Sequence, residues 1–466
     1  MDKSNMSIRQ ILFKKVGPMA MIALSFAFVI LTGAILLSFP FANVGVPKPF
    51  IDHLFVSTSA TCVTGLVPYS ILSQYNMWGQ IVIIGLMQVG GLGLMTLLTL
   101  MLSLMKHKIF LGEKKIIQDS LSKNDMKDIP KFIRSIVLYT LIFETIGFLL
   151  FATKFVPEYG WFHGIFNSIF LSVSAFCNAG LDNITHSSLI PFVNDPLINF
   201  TVAGLIITGG IGFVVWLDLR KNIGDLFAKR KNFRKFISTL SVHTKVVLLM
   251  TVGLLLSGTV IIYLLEHNNP ATLGPLSESS KWMASFFQST TLRTAGFATL
   301  PIAALKPATQ FIMCLYMFIG GSPGGTAGGI KTTTFAMLFI FVLFILRNDN
   351  HINVMKRDIP RVNFMKAYVV TIIYLTALVI AIIVLCISET APFLAIIFEC
   401  FSAIATVGLS MDLTPLLSVV GKLVIIALMF IGRVGPITIV VLIFRVNSRK
   451  KLTNEVSYAH GDILIG

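Results

Sequence analysis

The sequence predicts an all-α polytopic membrane protein: four parallel helix–pore-loop–helix repeats, with eight transmembrane helices and four pore helices in a pseudo-fourfold arrangement. Three observations predict it. Long apolar runs recur along the chain, a glycine-centred segment recurs four times without a gap, and basic residues collect in alternate intervening segments. Of the 466 residues, 55% are hydrophobic and only 12% charged, and the mean hydropathy is +0.84. A soluble chain of this length could not cover its surface with so few charges.

Taken in order, residues 1–15 form a cytoplasmic N-terminus and residues 16–105 a first repeat. Cytoplasmic loops at 106–134 and 220–245 flank a second repeat, 135–219. A third occupies 246–346, the loop 347–366 follows, the fourth repeat covers 367–444, and 445–466 form a cytoplasmic tail. Residues 16–47, 79–105, 197–217, 246–265, 307–330 and 367–388 contain no Asp, Glu, Lys or Arg. A helix needs roughly 20 apolar residues to cross the hydrocarbon core, so each of these runs reads as a span. Two more runs carry one charge each: residues 135–152 with Glu144, and 423–444 with Arg433. The first run is too long for a signal sequence and lacks a small-residue cleavage site, so it is expected to stay in the protein.

The net charge of +16 would suit a nucleic-acid binder, but its distribution argues against one. Of 37 Lys and Arg, 29 fall in residues 1–15, 106–134, 220–245, 347–366 and 445–451. The four alternating segments hold only Lys48, Lys154, Lys281, Lys306 and Lys422. This is the positive-inside pattern of a chain in the cell membrane with both termini in the cytoplasm. It also suits contact with acidic lipids of the bilayer or with a cytosolic partner. The five cysteines and eight histidines show no metal-ligand spacing.

The repeat is carried by four segments: Phe55-Val-Ser-Thr-Ser-Ala-Thr-Cys-Val-Thr-Gly65, Phe170-Leu-Ser-Val-Ser-Ala-Phe-Cys-Asn-Ala-Gly180, Phe286-Phe-Gln-Ser-Thr-Thr-Leu-Arg-Thr-Ala-Gly296 and Phe398-Glu-Cys-Phe-Ser-Ala-Ile-Ala-Thr-Val-Gly408. Each has Phe ten residues before its glycine and Ser or Thr six before it. An apolar helix with a cluster of small residues follows each one: Gly90-Gly-Leu-Gly93, Gly209-Gly-Ile-Gly212, Gly320-Gly-Ser-Pro323 and Gly432-Arg-Val-Gly435. The clusters begin 25, 29, 24 and 24 residues after the respective glycine. Each unit thus reads as an outer helix, a half-membrane helix, an extended loop and an inner helix. Basic loops on one side separate the units, so all four insert in the same direction, unlike the inverted repeats of many carriers.

Irregular backbone at membrane depth persists only where protein buries it or where it lines an aqueous cavity. A helix of roughly 10 residues spans ~15 Å, about half the core, so its carboxyl end stops at mid-depth. That end carries partial negative charge and favours a cation. A glycine there can take positive φ and turn neighbouring carbonyls toward an ion. One such glycine would read as a tight turn; four in one register read as a filter. The candidate filter is Val63, Thr64 and Gly65; Asn178, Ala179 and Gly180; Thr294, Ala295 and Gly296; and Thr406, Val407 and Gly408. A cation is the expected occupant.

The apolar stretch 307–346 is too long for one helix and is interrupted by Gly320, Gly321, Ser322, Pro323, Gly324, Gly325, Thr326, Ala327, Gly328, Gly329, Ile330 and Lys331. Proline and so many glycines oppose a continuous helix. Two half-helices joined by an intramembrane loop are predicted, with residues 320–334 read as a gate just inside the filter and a purely structural kink as the other reading. A phosphate-binding loop is excluded, since Ile330 separates Gly329 from Lys331 and no strand precedes it. Arg433 stands where the other units have Gly91, Gly210 and Gly321. A mid-span arginine costs at least ~2.5–3.5 kcal/mol on insertion scales, so it is expected to face a cavity or a partner. Arg293 is expected to brace the third loop from behind, with Glu399 as its counter-charge. Glu144 is expected to make a helix–helix contact. Asp52, Asp182 and Asp412 are placed at the outer mouth, where they could concentrate cations.

Leu292-Arg-Thr-Ala-Gly-Phe297, and Phe398-Glu399 with Ala405-Thr-Val-Gly-Leu-Ser410, resemble filter segments of the Trk/Ktr/HKT superfamily of potassium transporters. The resemblance covers nearly the whole chain. The short N-terminus, the eight spans and the tail His460-Gly-Asp-Ile-Leu-Ile-Gly466 are similar to the KtrB-type membrane subunit. It implies potassium uptake, often sodium-stimulated, by a homodimer with one pore per protomer. It also implies a cytosolic nucleotide-binding regulatory ring of the KtrA/KtrC type, made by another polypeptide. Glycine rather than serine at Gly65 implies the potassium-permeable group. The arginine at 433 is implied to be an electrostatic barrier opposite the loop. From the residues alone, a secondary cation carrier with an alternating-access step remains the other reading. An ATP-driven enzyme has no supporting motif.

Overall fold

The computed structural model describes residues 18–46, 48–93, 129–227, 233–347, 353–355, 357–435 and 438. The predicted N-terminus 1–15, residues 94–105, most of the loop 106–134, parts of the loops 220–245 and 347–366, and residues 439–466 lie outside the described residues.

In chain order the longer helices are α1 (Pro18–Ser38), α2 (Phe50–Cys62), α3 (Met77–Leu92), α4 (Ile129–Tyr159), α5 (Trp161–Cys177), α6 (Pro196–Gly210), α7 (Phe213–Phe227), α8 (Val242–Glu266), α9 (Glu278–Thr291), α10 (Pro307–Phe318), α11 (Thr332–Arg347), α12 (Arg361–Ser388), α13 (Phe393–Ile404) and α14 (Val419–Val434). A hairpin of two-residue strands, β1 (Asn353–Val354) and β2 (Arg357–Asp358), precedes α12. Among the described residues, four helices are long and apolar enough to cross a membrane: α1, α4, α8 and α12. The pair α6 and α7 passes the same test together, bent by 93°.

The long helices are apolar on both faces. On α1, Ala23, Phe26, Ile30, Ala34 and Leu37 are buried, while Leu24, Phe28, Leu31 and Ile35 on the opposite stripe are exposed. An exposed stripe of large apolar side chains is the composition that lipid tails cover. Helix starts carry ordinary caps. Asn76 accepts from Trp78 N and Gly79 N, Asp195 from Leu197 N and Ile198 N, and Ser418 from Gly421 N.

The shorter helices α2, α5, α9 and α13 lie inside, each against a long one. In three places the approach is closed by one device. Ser57 Oγ donates to Ile30 O (2.7 Å) beside Gly33, Ser172 Oγ to Glu144 O (2.6 Å) beside Gly147, and Ser289 Oγ to Leu255 O (2.9 Å) beside Gly258. A β-carbon built on Gly33 or Gly147 would lie 2.5 or 2.7 Å from the serine Oγ. Small residues let helix backbones approach in a membrane, where little hydrophobic force drives them together.

The reading of residues 197–217 as one continuous span is corrected. The last glycine of each G-G-x-G-type cluster has positive φ: 79° at Gly93, 98° at Gly212 and 93° at Gly435. Helices α3, α6 and α14 end there, and at Gly212 the chain turns sharply into α7. The first glycine of each cluster explains the small residues. A β-carbon on Gly90, Gly209 or Gly432 would collide with the carbonyl of Thr61, Phe176 or Ile404 at the end of a buried helix.

Candidate functional site

Helices α2, α5 and α13 lead into loops of one geometry. The residue two before each glycine is left-handed, with φ of 57° at Val63, 61° at Asn178, 64° at Thr294 and 52° at Thr406. Gly65, Gly180, Gly296 and Gly408 follow with φ of 109°, 65°, 84° and 97°. Left-handed backbone at a β-branched residue costs of order 1–3 kcal/mol and persists only when its surroundings hold it. They do so here. Thr64 N, Ala179 N and Val407 N each donate to a carbonyl five residues back, at Ser59, Ser174 and Ser402, all at 2.8 Å. The same serines' hydroxyls accept from Gly65 N, Leu181 N and Gly408 N at 3.0 Å. That is the role of the Ser six residues before the glycine. The third loop differs: Ala295 N donates to Thr291 O (3.0 Å), and Thr291 Oγ1 donates to Phe297 O (2.7 Å).

The four loops meet in cyclic order. A β-carbon on Gly65 would lie 2.9 Å from Ala179 O, one on Gly180 2.5 Å from Ala295 O, and one on Gly296 2.6 Å from Val407 O. One on Gly408 would overlap Thr64 O, which closes the circle. Each glycine therefore faces the carbonyl before the next glycine, and no side chain fits at any of the four. On one side the glycines floor a vestibule of about 410 Å³, whose walls include Asp182, His186 and Asp412.

On the other side lies the segment between α10 and α11. Its ends are pinned together by Gly320 N donating to Ile330 O (2.9 Å) and Gly321 N to Gly328 O (3.3 Å). Its middle spans three of the four glycine loops. Thr326 Oγ1 donates to Phe176 O (3.1 Å) and Asn178 Oδ1 (3.2 Å), and Gly328 N donates to Thr294 Oγ1 (3.2 Å). A β-carbon on Gly328 would collide with Thr406. The bend after α6 completes the seat. Its freed carbonyls Gly210 O and Gly209 O accept from Ser322 N (2.9 Å) and Thr326 N (3.2 Å), and Phe213 N donates to Gly324 O (2.9 Å). Lys331 Nζ folds back onto Ala327 O at 2.7 Å.

Arg433 grips the same segment. Its guanidinium donates to Thr326 O, to Gly90 O and, at 3.4 Å, to Gly91 O. One planar fork thus joins α14, the loop and α3 through neutral carbonyls. Among the described residues no carboxylate pairs with it.

A model of the family described as TrkH, cation transport protein, matches residues 19–452. The chain belongs to this family. It is 38% identical to the Ktr system potassium uptake protein B of Bacillus subtilis over 96% of this chain and 97% of that protein. It is also 36% identical to the potassium/sodium uptake protein NtpJ of Enterococcus hirae, over 92% and 93% of the two chains. Among solved structures, the potassium transporter TrkH of Vibrio parahaemolyticus matches with a TM-score of 0.72 at 16% identity, over 94% of this chain and 86% of that one. The likeness supports the fold. With several apolar helices, this cation transporter is a multi-pass membrane protein.

Glu399 is not paired with Arg293: its carboxylate accepts from Thr414 Oγ1 and from Ser410 Oγ (2.8 Å), and it ties α13 to the loop beyond Gly408. Arg293 is buried, and its Nε and Nη2 have no partner among the described residues. Asp52 is withdrawn from the mouth by Lys422 Nζ at 2.5 Å, a pair that joins α2 to α14. Asp182 and Asp412 do line the vestibule. Glu144 makes the expected helix contact: its Oε2 accepts from Gln88 Nε2 of α3 at 3.0 Å, and Cys177 Sγ lies 3.2 Å from Gln88 Oε1. The Asp52–Lys422 tie and the outer-helix glycines were missed in the sequence.

Proposed function

We propose that this chain takes up potassium through a central pore whose selectivity filter is the ring of Gly65, Gly180, Gly296 and Gly408 with the residues before them. The observation that carries this reading is the cyclic contact of four glycines with four carbonyls. Backbone carbonyls on one axis replace an ion's hydration shell, and short helices aim their negative ends at it. Four parallel helix–pore-loop–helix units, eight crossings in all, would build that axis. The recurring Ser–Gly contacts at Gly33, Gly147 and Gly258 support three of the four units. Residues 320–331 and Arg433 act as the gate beneath the filter. The names of the relatives, potassium uptake proteins of a Ktr system and a potassium/sodium uptake protein, support potassium as cargo. They also support sodium as a second ion and a regulatory partner subunit. We read that partner as a cytosolic nucleotide-binding ring on a homodimer, with both termini of this chain on the same side.

Substitution Gly65→Ser tests the filter. The residue sits at φ 109°, and its new side chain would lie 2.9 Å from Ala179 O, so a coordinating carbonyl must turn away. The preference for potassium over sodium, read as rubidium uptake in liposomes under competition by each ion, should fall by about tenfold, equivalent to 1.4 kcal/mol. A preference unchanged in normally inserted protein would remove Gly65 from the filter.

A further inference from the structure

A second cavity, of about 480 Å³, opens between the first turns of α8, α11 and α12, away from the filter. Two basic side chains line it, Arg357 of β2 and Lys366 of α12, and neither has an ion-pair partner among the described residues. The hydroxyl-bearing Thr333 and Thr334 of α11 stand in its wall, and His243 of α8 lines it with Nε2 buried and without a partner. The one acid in the lining is Asp358. Val246, Met337, Ala367 and Val370 give it an apolar base. Two cations and the hydroxyls of Thr333 and Thr334 around one hollow are complementary to a compact anion of more than one charge. The apolar base adds room for a hydrocarbon chain.

We propose that this cavity binds a phosphate ester, supplied by the headgroup of an anionic membrane lipid whose acyl chain lies on the apolar base. Helix α11 begins directly after Lys331, so an anion held at Thr333 and Thr334 would fix the exit of the intramembrane segment to α12. The regulatory consequence rests on the gate reading above; the binding site does not.

The test is native mass spectrometry of the purified full-length chain, comparing retained phosphatidylglycerol with phosphatidylcholine, and separately inorganic phosphate and ATP. Retention of phosphatidylglycerol over phosphatidylcholine should fall by about tenfold in Arg357→Ala/Lys366→Ala. It should hold in Arg134→Ala/Arg220→Ala, which removes equal charge from the same basic side. Asp358→Asn should raise retention, and this arm stands even where the double variant does not fold. If phosphate or ATP shows the same dependence on these residues and the lipid does not, the anion chemistry holds and its source is soluble. Retention indifferent to Arg357, Lys366 and Asp358, or equally lost in the control, overturns the site. Because the readout is binding, its failure leaves the transport reading intact, and a failed transport assay leaves the site intact.

Discussion

Deleting residues 322–329 is expected to raise the initial rate of rubidium uptake by at least about tenfold, the effect of removing 1.4 kcal/mol from a limiting barrier. The segment lies across three of the four glycine loops, through Asn178, Thr294 and Thr406, so on the proposed reading an ion leaving the filter would have to displace it. The deletion can close without stretching the chain. Gly320 N already bonds Ile330 O, and Gly321 N already bonds Gly328 O, so the two sides of the loop are neighbours before the cut. What is lost is the clamp on Gly209 O and Gly210 O at the bend after α6. If the segment instead braces the filter from below, the deleted protein will fold but conduct nothing. Uptake rate and monodispersity measured on one preparation separate these results.

Arg433→Gln is expected to speed uptake by a few-fold to some tens-fold. If the charge stands ~8 Å from the proposed ion path, at an effective dielectric of ~20, it repels a monovalent cation by about 2 kcal/mol. Each 1.4 kcal/mol is tenfold in rate where that barrier limits flux. The structure adds a second reason in the same direction. The guanidinium holds Thr326 O to Gly90 O, and glutamine cannot reproduce that fork. Arg433→Lys keeps the charge and loses the fork, so it should stay closer to the parent if charge dominates. A slower, less thermally stable Gln variant would make Arg433 a helix tie and not a barrier.

The four loops were legible because their chemistry is local. Phe, Ser or Thr, and Gly stand at fixed offsets in one continuous segment, and the structure gives the Ser of three segments a direct bond to the filter backbone. The segment 320–331 was legible from its glycines and Pro323. The bend after α6 and the helix ends before Gly93 and Gly435 were not: glycine clusters were visible, but helix packing and a helix end both call for glycine, and only φ at Gly93, Gly212 and Gly435 distinguishes them. The outer-helix glycines escaped because they stand 32, 33 and 38 residues before the filter glycines, a spacing blurred by connections of unequal length. Asp52 looked like a mouth carboxylate because its partner Lys422 is 370 residues away. Glu399 reads as a counter-charge for Arg293 from charge alone, whereas the hydroxyls of Ser410 and Thr414 satisfy it.

The central claim is that four backbone loops form a potassium-selective path. It is tested most directly by radioactive rubidium influx into liposomes holding this chain alone, with potassium or sodium added as competitor and no ATP. The ring of carbonyls predicts sustained downhill influx that potassium suppresses at concentrations at least about tenfold below those needed for sodium, a difference of 1.4 kcal/mol or more. Equal suppression by the two ions would contradict it.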